Sequence, residues 1–190
     1  MNTVFEKMEF CAANATQSDE TAFIQTLALL SDANWRVRYA AAIALGDRRD
    51  PKAVDALVQA LHRENEAPLF TQPKLEGGAH AGSNDPFNVI FPAGTTEETK
   101  EAWRRRGRVL QAACLALGNI GTADPAALEL LYEFALNQNR DYVVRAAACK
   151  ALGQIADAES LPVLEKASKD EEWCTACEAR KSVQKIRALA

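Results

Sequence analysis

Three stretches of the chain place apolar residues at one spacing. They are Val37-Arg38-Tyr39-Ala40-Ala41-Ala42-Ile43-Ala44-Leu45-Gly46, Val109-Leu110-Gln111-Ala112-Ala113-Cys114-Leu115-Ala116-Leu117-Gly118 and Val144-Arg145-Ala146-Ala147-Ala148-Cys149-Lys150-Ala151-Leu152-Gly153. Each reads Val-x-x-Ala-Ala-x-x-Ala-Leu-Gly. The fixed apolar positions fall at i, i+3, i+4, i+7 and i+8, which is one face of an α-helix. Alanine on that face lets neighbouring helices come close. The closing glycine suits the left-handed residue that ends a helix.

A second amphipathic helix is predicted after each copy, over residues 51–61, 125–136 and 160–167. Asp50-Pro51 and Asp124-Pro125 are start signals, since the Asp oxygen caps free amides and Pro at the first helical position has no amide to leave unpaired. The third copy departs from this, with Pro162 set later behind Ala158-Glu159-Ser160. A weaker fourth copy covers 173–186, with Gln184 where the glycine would stand. Residues 4–13 and 20–30 predict two more helices ahead of the first copy. Gly118 and Gly153 are 35 residues apart and Gly46 and Gly118 72 apart, so the register holds except for an insertion. A two-helix unit cannot bury its apolar face alone, so the copies must stack.

Residues 65–97 break the period. They hold Pro68, Pro73, Pro86 and Pro92 with four glycines, which excludes a continuous helix. Phe70, Phe87 and Phe91 make the stretch too apolar for a wholly solvated linker. A structureless segment this long within one domain is uncommon and often functional. It reads either as a docking arm lying on the stack, with those three rings as its contacts, or as a loop packed over one helix pair. Thr95-x-x-Glu98 has the form of a capping box, so a long helix restarts there and runs to Leu117.

Length and composition fit one domain, residues 1–190, with a sizeable core. Hydrophobic residues make up 48%, charged residues 25%, and the net charge is −4. That balance argues against a nucleic-acid binder, which normally carries a basic excess. No apolar run reaches the ~18 residues of a membrane span, and the first residues lack the layout of a signal peptide. Five cysteines scattered through helical segments suit a reducing compartment better than a disulfide framework. The expectation is a cytoplasmic protein.

Candidate chemistry is sparse. Trp173-Cys174-Thr175-Ala176-Cys177 has the form of a redox dithiol at a helix start, where the dipole would lower the first thiol's pKa. The strands that precede such a pair in a thioredoxin-type fold are missing, and Trp173 shares the repeat position of Trp35 and Tyr142, a packing position. Cys174 and Cys177 are thus structural thiols or weak redox and metal candidates. Cys114 and Cys149 share one repeat position on helices about 8–10 Å apart, beyond the reach of a disulfide. They are expected as small buried residues. Arg104, Arg105 and Arg108 form a basic cluster that could meet an anion, or pair with Glu97, Glu98 and Glu101 a turn or two away. Arg38 and Arg145 recur with the repeat and read as ion-pair partners between layers. No Ser/His/Asp set or phosphate loop appears, and no cofactor is expected.

The pattern Asp-x-x-(Trp/Tyr)-x-Val-Arg-x-Ala-Ala-x-x-Ala-Leu-Gly-x-x-x-Asp-Pro, carried almost whole by residues 32–51 and in large part by 139–157, resembles the HEAT-like repeats named after phycobilisome lyases. The resemblance implies an all-α fold, an α-solenoid of four to five helical hairpins stacked right-handedly. It implies that the Val-x-x-Ala-Ala helices line the concave side. There the variable positions Tyr39, Ile43, Gln111, Leu115, Ala146, Lys150 and Cys177 form a strip for binding. Three functions are compatible with it: a non-catalytic scaffold for a protein partner, a lyase-like protein handling a tetrapyrrole whose propionates meet the arginines, or a thiol or metal site at Cys174 and Cys177. Metal-dependent hydroxylases of related architecture present His-Glu pairs in several repeats. His62-Arg63-Glu64 does not supply them, and that function is set aside.

Overall fold

Side-chain caps start most of the helices. In the computed structural model, which describes residues 1–17, 19–65, 91, 93–138 and 140–189, helix α1 spans Val4–Asn14 and α2 Glu20–Leu29. Helices α3 (Trp35–Arg48) and α4 (Val54–Asn65) follow, then α5 (Glu97–Ile120), α6 (Pro125–Leu136), α7 (Tyr142–Ile155), α8 (Leu161–Ala167) and α9 (Trp173–Leu189). The described residues form no strand. Thr3 and Glu6 close a reciprocal capping box at α1. Asp50, Asp124 and Asp157 stand at equivalent points of three copies and accept from the amides of Lys52, Ala127 and Glu159 at 3.0, 2.9 and 3.1 Å. The third copy therefore keeps the aspartate start. Only the proline has moved, and a 3-10 turn at Ala158–Ser160 leads into α8.

The helices form two layers. In the first, α1, α3, α5, α7 and α9 lie side by side in that order; in the second, α2, α4, α6 and α8 pack beneath α3, α5, α7 and α9. Four hairpins and a further helix are thus described. The repeated apolar face fills the space between the layers. Ala41 and Leu45, then Ala113 and Leu117, then Ala148 and Leu152, share one cluster with Leu57, Leu61, Leu131, Phe134 and Leu164, all at most 2% exposed. Deleting any of these large side chains would leave a cavity in a close-packed interior.

Three expectations change. Gly46, Gly118 and Gly153 do not end their helices, which run on for two more residues. The left-handed residues are Arg49, Gly121 and Ala156, three positions later in each copy, with φ of 58°, 76° and 61°. The repeat glycines serve close approach instead. A Cβ on Gly46 would lie 2.7 Å from the Cα of Ala116, and one on Gly118 2.7 Å from the Cα of Ala151. A Cβ on Gly153 would lie 2.9 Å from the Cα of Ser182. Each glycine thus touches the small residue two positions before its own equivalent in the next layer-one helix. Gln184, the substitute on α9, is exposed, and no further described helix packs there.

The second change is at α5. Its cap is Thr96, accepting from the Thr99 amide at 3.2 Å, so Thr95 and Glu98 do not form the box. The third is Trp173, which is 71% exposed, whereas Tyr142 at the same repeat position is 6% exposed. Trp35, at that position in α3, is half-buried and edge-on to Tyr39 with ring centroids 6.5 Å apart.

Arg38 and Arg145 do join elements. Arg38 Nε donates to Glu64 on α4 at 2.6 Å and its guanidinium to the carbonyl of Asp32 at 2.9 Å. Arg145 meets Asp170, ahead of α9, at 3.3 Å and donates to Gln138 at 2.6 Å. Arg140, which the sequence did not single out, is buried. It pairs with Glu133 at 3.1 Å, donates to Asn65, and lies 4.0 Å from the ring of Phe134.

Candidate functional site

With the Ala/Leu/Gly face turned inward, the opposite stripe of each first-layer helix is left open. Residues four apart stand above one another on a helix. Tyr39, Ile43 and Asp47 therefore line up on α3, Gln111, Leu115 and Asn119 on α5, Tyr142, Ala146 and Lys150 on α7, and Cys174 and Glu178 on α9. Two recesses form between these stripes. One, of about 250 Å³, lies between α3 and α5 and is lined by all six of the first residues. The other, of about 290 Å³, runs from Gln111 and Leu115 past Tyr142, Val143, Ala146 and Lys150 to Cys174 and Glu178. Gln111 and Leu115 belong to both, so the recesses adjoin. No second-layer residue lines either.

Tyr39, Ile43, Gln111, Leu115, Ala146 and Lys150 are thus brought to one face. Cys177 is not in the lining; Cys174, three residues earlier, is. The sequence reading missed Asp47, Asn119, Tyr142, Val143 and Glu178. Asp47 and Asn119 lie one turn beyond Ile43 and Leu115, so running the same phase one turn further would have found them. Among the described residues Asp47 and Lys150 have no ion pair, while Glu178 is held by Lys181 at 2.6 Å. Asn119 accepts from Gln154 at 2.9 Å.

Phe91, in the last part of the insertion, lies against this face. Its ring is edge-on to Trp103 at 5.2 Å and under the guanidinium of Arg104 at 5.4 Å. Trp103 and Cys174 join it around Tyr142 and Val143. Phe70 and Phe87 lie outside the described residues, as does His80. In the arginine cluster, Arg105 donates to Glu101 at 2.9 Å and Arg104 stands 3.9 Å from the same carboxylate. Lys100 takes Glu97. Arg108 is half-buried.

The thiols are all free. Burial pushes Cys114 and Cys149 up to about 12 and Cys11 up to about 11. Cys174 is also raised, first by burial and then by Glu172, Cys177 and Glu178. That is opposite to the lowering expected at a helix start, because burial first, and then the neighbouring carboxylates, outweigh the dipole. Among the described residues no group of three or more His, Cys, Asp or Glu is placed to hold a metal. Glu64, of the His62-Arg63-Glu64 run, is committed to Arg38. Native protein treated with iodoacetamide near pH ~8 should be alkylated at Cys174 and Cys177 only, slowly at Cys174, because thiolate and access are both needed. Intact mass and peptide mapping read this directly. Labelling of Cys114 or Cys149 at the rate of unfolded chain would mean that the layers do not pack as described.

No helix of the described residues is long and apolar enough to cross a membrane. A family model for HEAT repeats matches residues 10–69 and 104–181, more than half of the chain. No curated protein matches. A solved structure of human deoxyhypusine hydroxylase in complex with glycerol aligns over 98% of this chain and 81% of that one, at 16% identity and a TM-score of 0.33.

Proposed function

This chain belongs to the HEAT-repeat family, and from that premise we propose that it is a non-catalytic scaffold whose open first-layer face docks a protein partner. One observation carries the reading. The side chains that the repeat does not spend on packing, from Tyr39 on α3 to Glu178 on α9, line two adjoining recesses. They combine apolar walls at Ile43, Leu115 and Val143 with separated polar groups at Asp47, Gln111 and Lys150. Such a mix is what a protein surface recognises through: a desolvated centre with polar groups around it. Phe91 extends the apolar wall from the insertion side.

A tetrapyrrole-handling role, as in the phycobilisome-lyase type of repeat, has less support. The arginines that would meet propionates are already engaged in part, Arg105 and Arg104 by Glu101 and Arg104 also by the ring of Phe91.

The test places a photo-cross-linking amino acid at Ile43 or at Leu115 of the full chain, with exposed Glu129 on α6 as the reference position. In lysate of the native host, Ile43 and Leu115 should capture one common protein that Glu129 does not. Alanine at Tyr39, Gln111 and Lys150 together should then weaken its binding by about tenfold or more, as loss of a few central contacts does. Capture only from Glu129, or binding untouched by the triple replacement, would overturn the proposal.

A further inference from the structure

The two recesses differ in charge, and that difference selects a partner. The recess between α3 and α5 has one ionic group, the Asp47 carboxylate, set in a wall with the Tyr39 ring and the Asn119 amide. The recess between α5, α7 and α9 has Lys150, whose ammonium has no carboxylate within ion-pair distance among the described residues, while Glu178 on its far wall is taken by Lys181. Between the two recesses stands Gln111, a half-buried amide with no hydrogen-bond partner among the described residues. An acid, an amide and a base thus follow one another across three helices.

We infer that this face takes an extended peptide segment bearing a basic side chain for Asp47 and an acidic one for Lys150, with small or apolar residues over Leu115 between them. This rests on the docking role assigned above to the same face. An extended occupant fits better than a helical one, because a helix satisfies its own backbone whereas an extended chain presents free N–H and C=O groups. The Gln111 amide offers both a donor and an acceptor to meet them.

The spacing follows from helix geometry. Adjacent packed helices lie about 8–10 Å apart, so α3 and α7 are separated by roughly two such steps. Asp47 stands one turn further along its helix than Lys150 does, about 5.4 Å. The two charges are then roughly 17–21 Å apart, which an extended chain at ~3.3 Å per residue covers in about five or six residues.

The probe is a phage-displayed library of random linear peptides, selected on the full-length chain. Three versions are compared: the wild type, Asp47→Lys/Lys150→Glu, and a blocked face, Ile43→Arg/Leu115→Arg. The substituted positions are exposed or half-buried, and circular dichroism checks that each version folds. Wild type should enrich peptides with a basic and an acidic residue about five or six positions apart, in one fixed order. The exchanged version should enrich the reverse order and bind the wild-type peptides about tenfold or more weakly, since both contacts become repulsive. Peptides enriched on both without a charge pair would overturn the inference while leaving the docking face standing. Enrichment of nothing would overturn the extended-peptide occupant. Peptides that bind the blocked version equally would overturn the docking face itself.

Discussion

Asp170→Ala should destabilise the chain by about 3–5 kcal/mol, the cost of removing one member of a buried ion pair. At this length that lowers the melting temperature by on the order of 10 °C. The Asp170 carboxylate is 2% exposed and its partner Arg145 5% exposed, at 3.3 Å. The same carboxylate accepts from the Glu172 amide at 2.8 Å, ahead of α9, and from Gln138 at 2.9 Å. Arg145 also has a buried Nε with no hydrogen-bond partner among the described residues, so it has little reserve when the acid goes. Alanine therefore leaves a guanidinium out of water with Gln138 as its one remaining side-chain partner among the described residues.

Two companion substitutions separate the causes. Asp170→Asn keeps an oxygen for the Glu172 amide but removes the charge. It should retain the cap contribution, about 1 kcal/mol, and lose most of the rest. Arg145→Met in the Asp170→Ala background removes the stranded charge. The double variant should be more stable than Asp170→Ala alone. Thermal or urea unfolding of the four proteins reads all three comparisons. A double variant no more stable than Asp170→Ala alone would show that the ionic contact is not what Asp170 contributes.

The fold was legible because periodicity is a property of one helix face, and that face repeats. The bounds of α1, α2 and α6 follow from local signals, a cap before the run and an apolar spacing within it. Arg145 was also readable, since a charge that recurs in phase with a buried face needs a partner. Arg140 was not: it occurs once, and its burial depends on Asn65, Glu133 and Phe134, which only the stacked helices bring together. Trp173 was misassigned because its repeat position packs only when a neighbouring element covers it. The site was partly legible for the same reason as the fold. Open positions are the complement of buried ones, which gave Tyr39, Ile43, Gln111, Leu115 and Lys150 their shared face. Asp47 was missed because the phase was stopped one turn short of it, and that Asp47 and Lys150 stay without an ion pair among the described residues is a tertiary fact that no phase reveals.

The glycine of the repeat makes the same point as a measurement. Gly118→Ala should destabilise the chain by roughly 1–2 kcal/mol, even though alanine is the better helix former by about 1 kcal/mol. Overpacking costs about 1–3 kcal/mol when the neighbour yields at all. Here the added Cβ would lie 2.7 Å from the Cα of Ala151, a backbone atom that no rotamer change can move. Helices α5 and α7 must separate, and every side chain between them loses contact. Introducing Ala151→Gly beside it should not restore stability, because the Cα stays where it was. Had the glycine served as a helix stop, alanine would cost only local strain in the last turn, and its effect would not reach α7. Hydrogen exchange distinguishes the two: close packing predicts faster exchange along both α5 and α7, whereas a helix stop predicts it at the end of α5 alone. Unchanged or raised stability would mean that the two helices sit further apart than a glycine contact requires. The recess lined by Leu115 and Lys150 lies between those helices, so its width is set by the same contact.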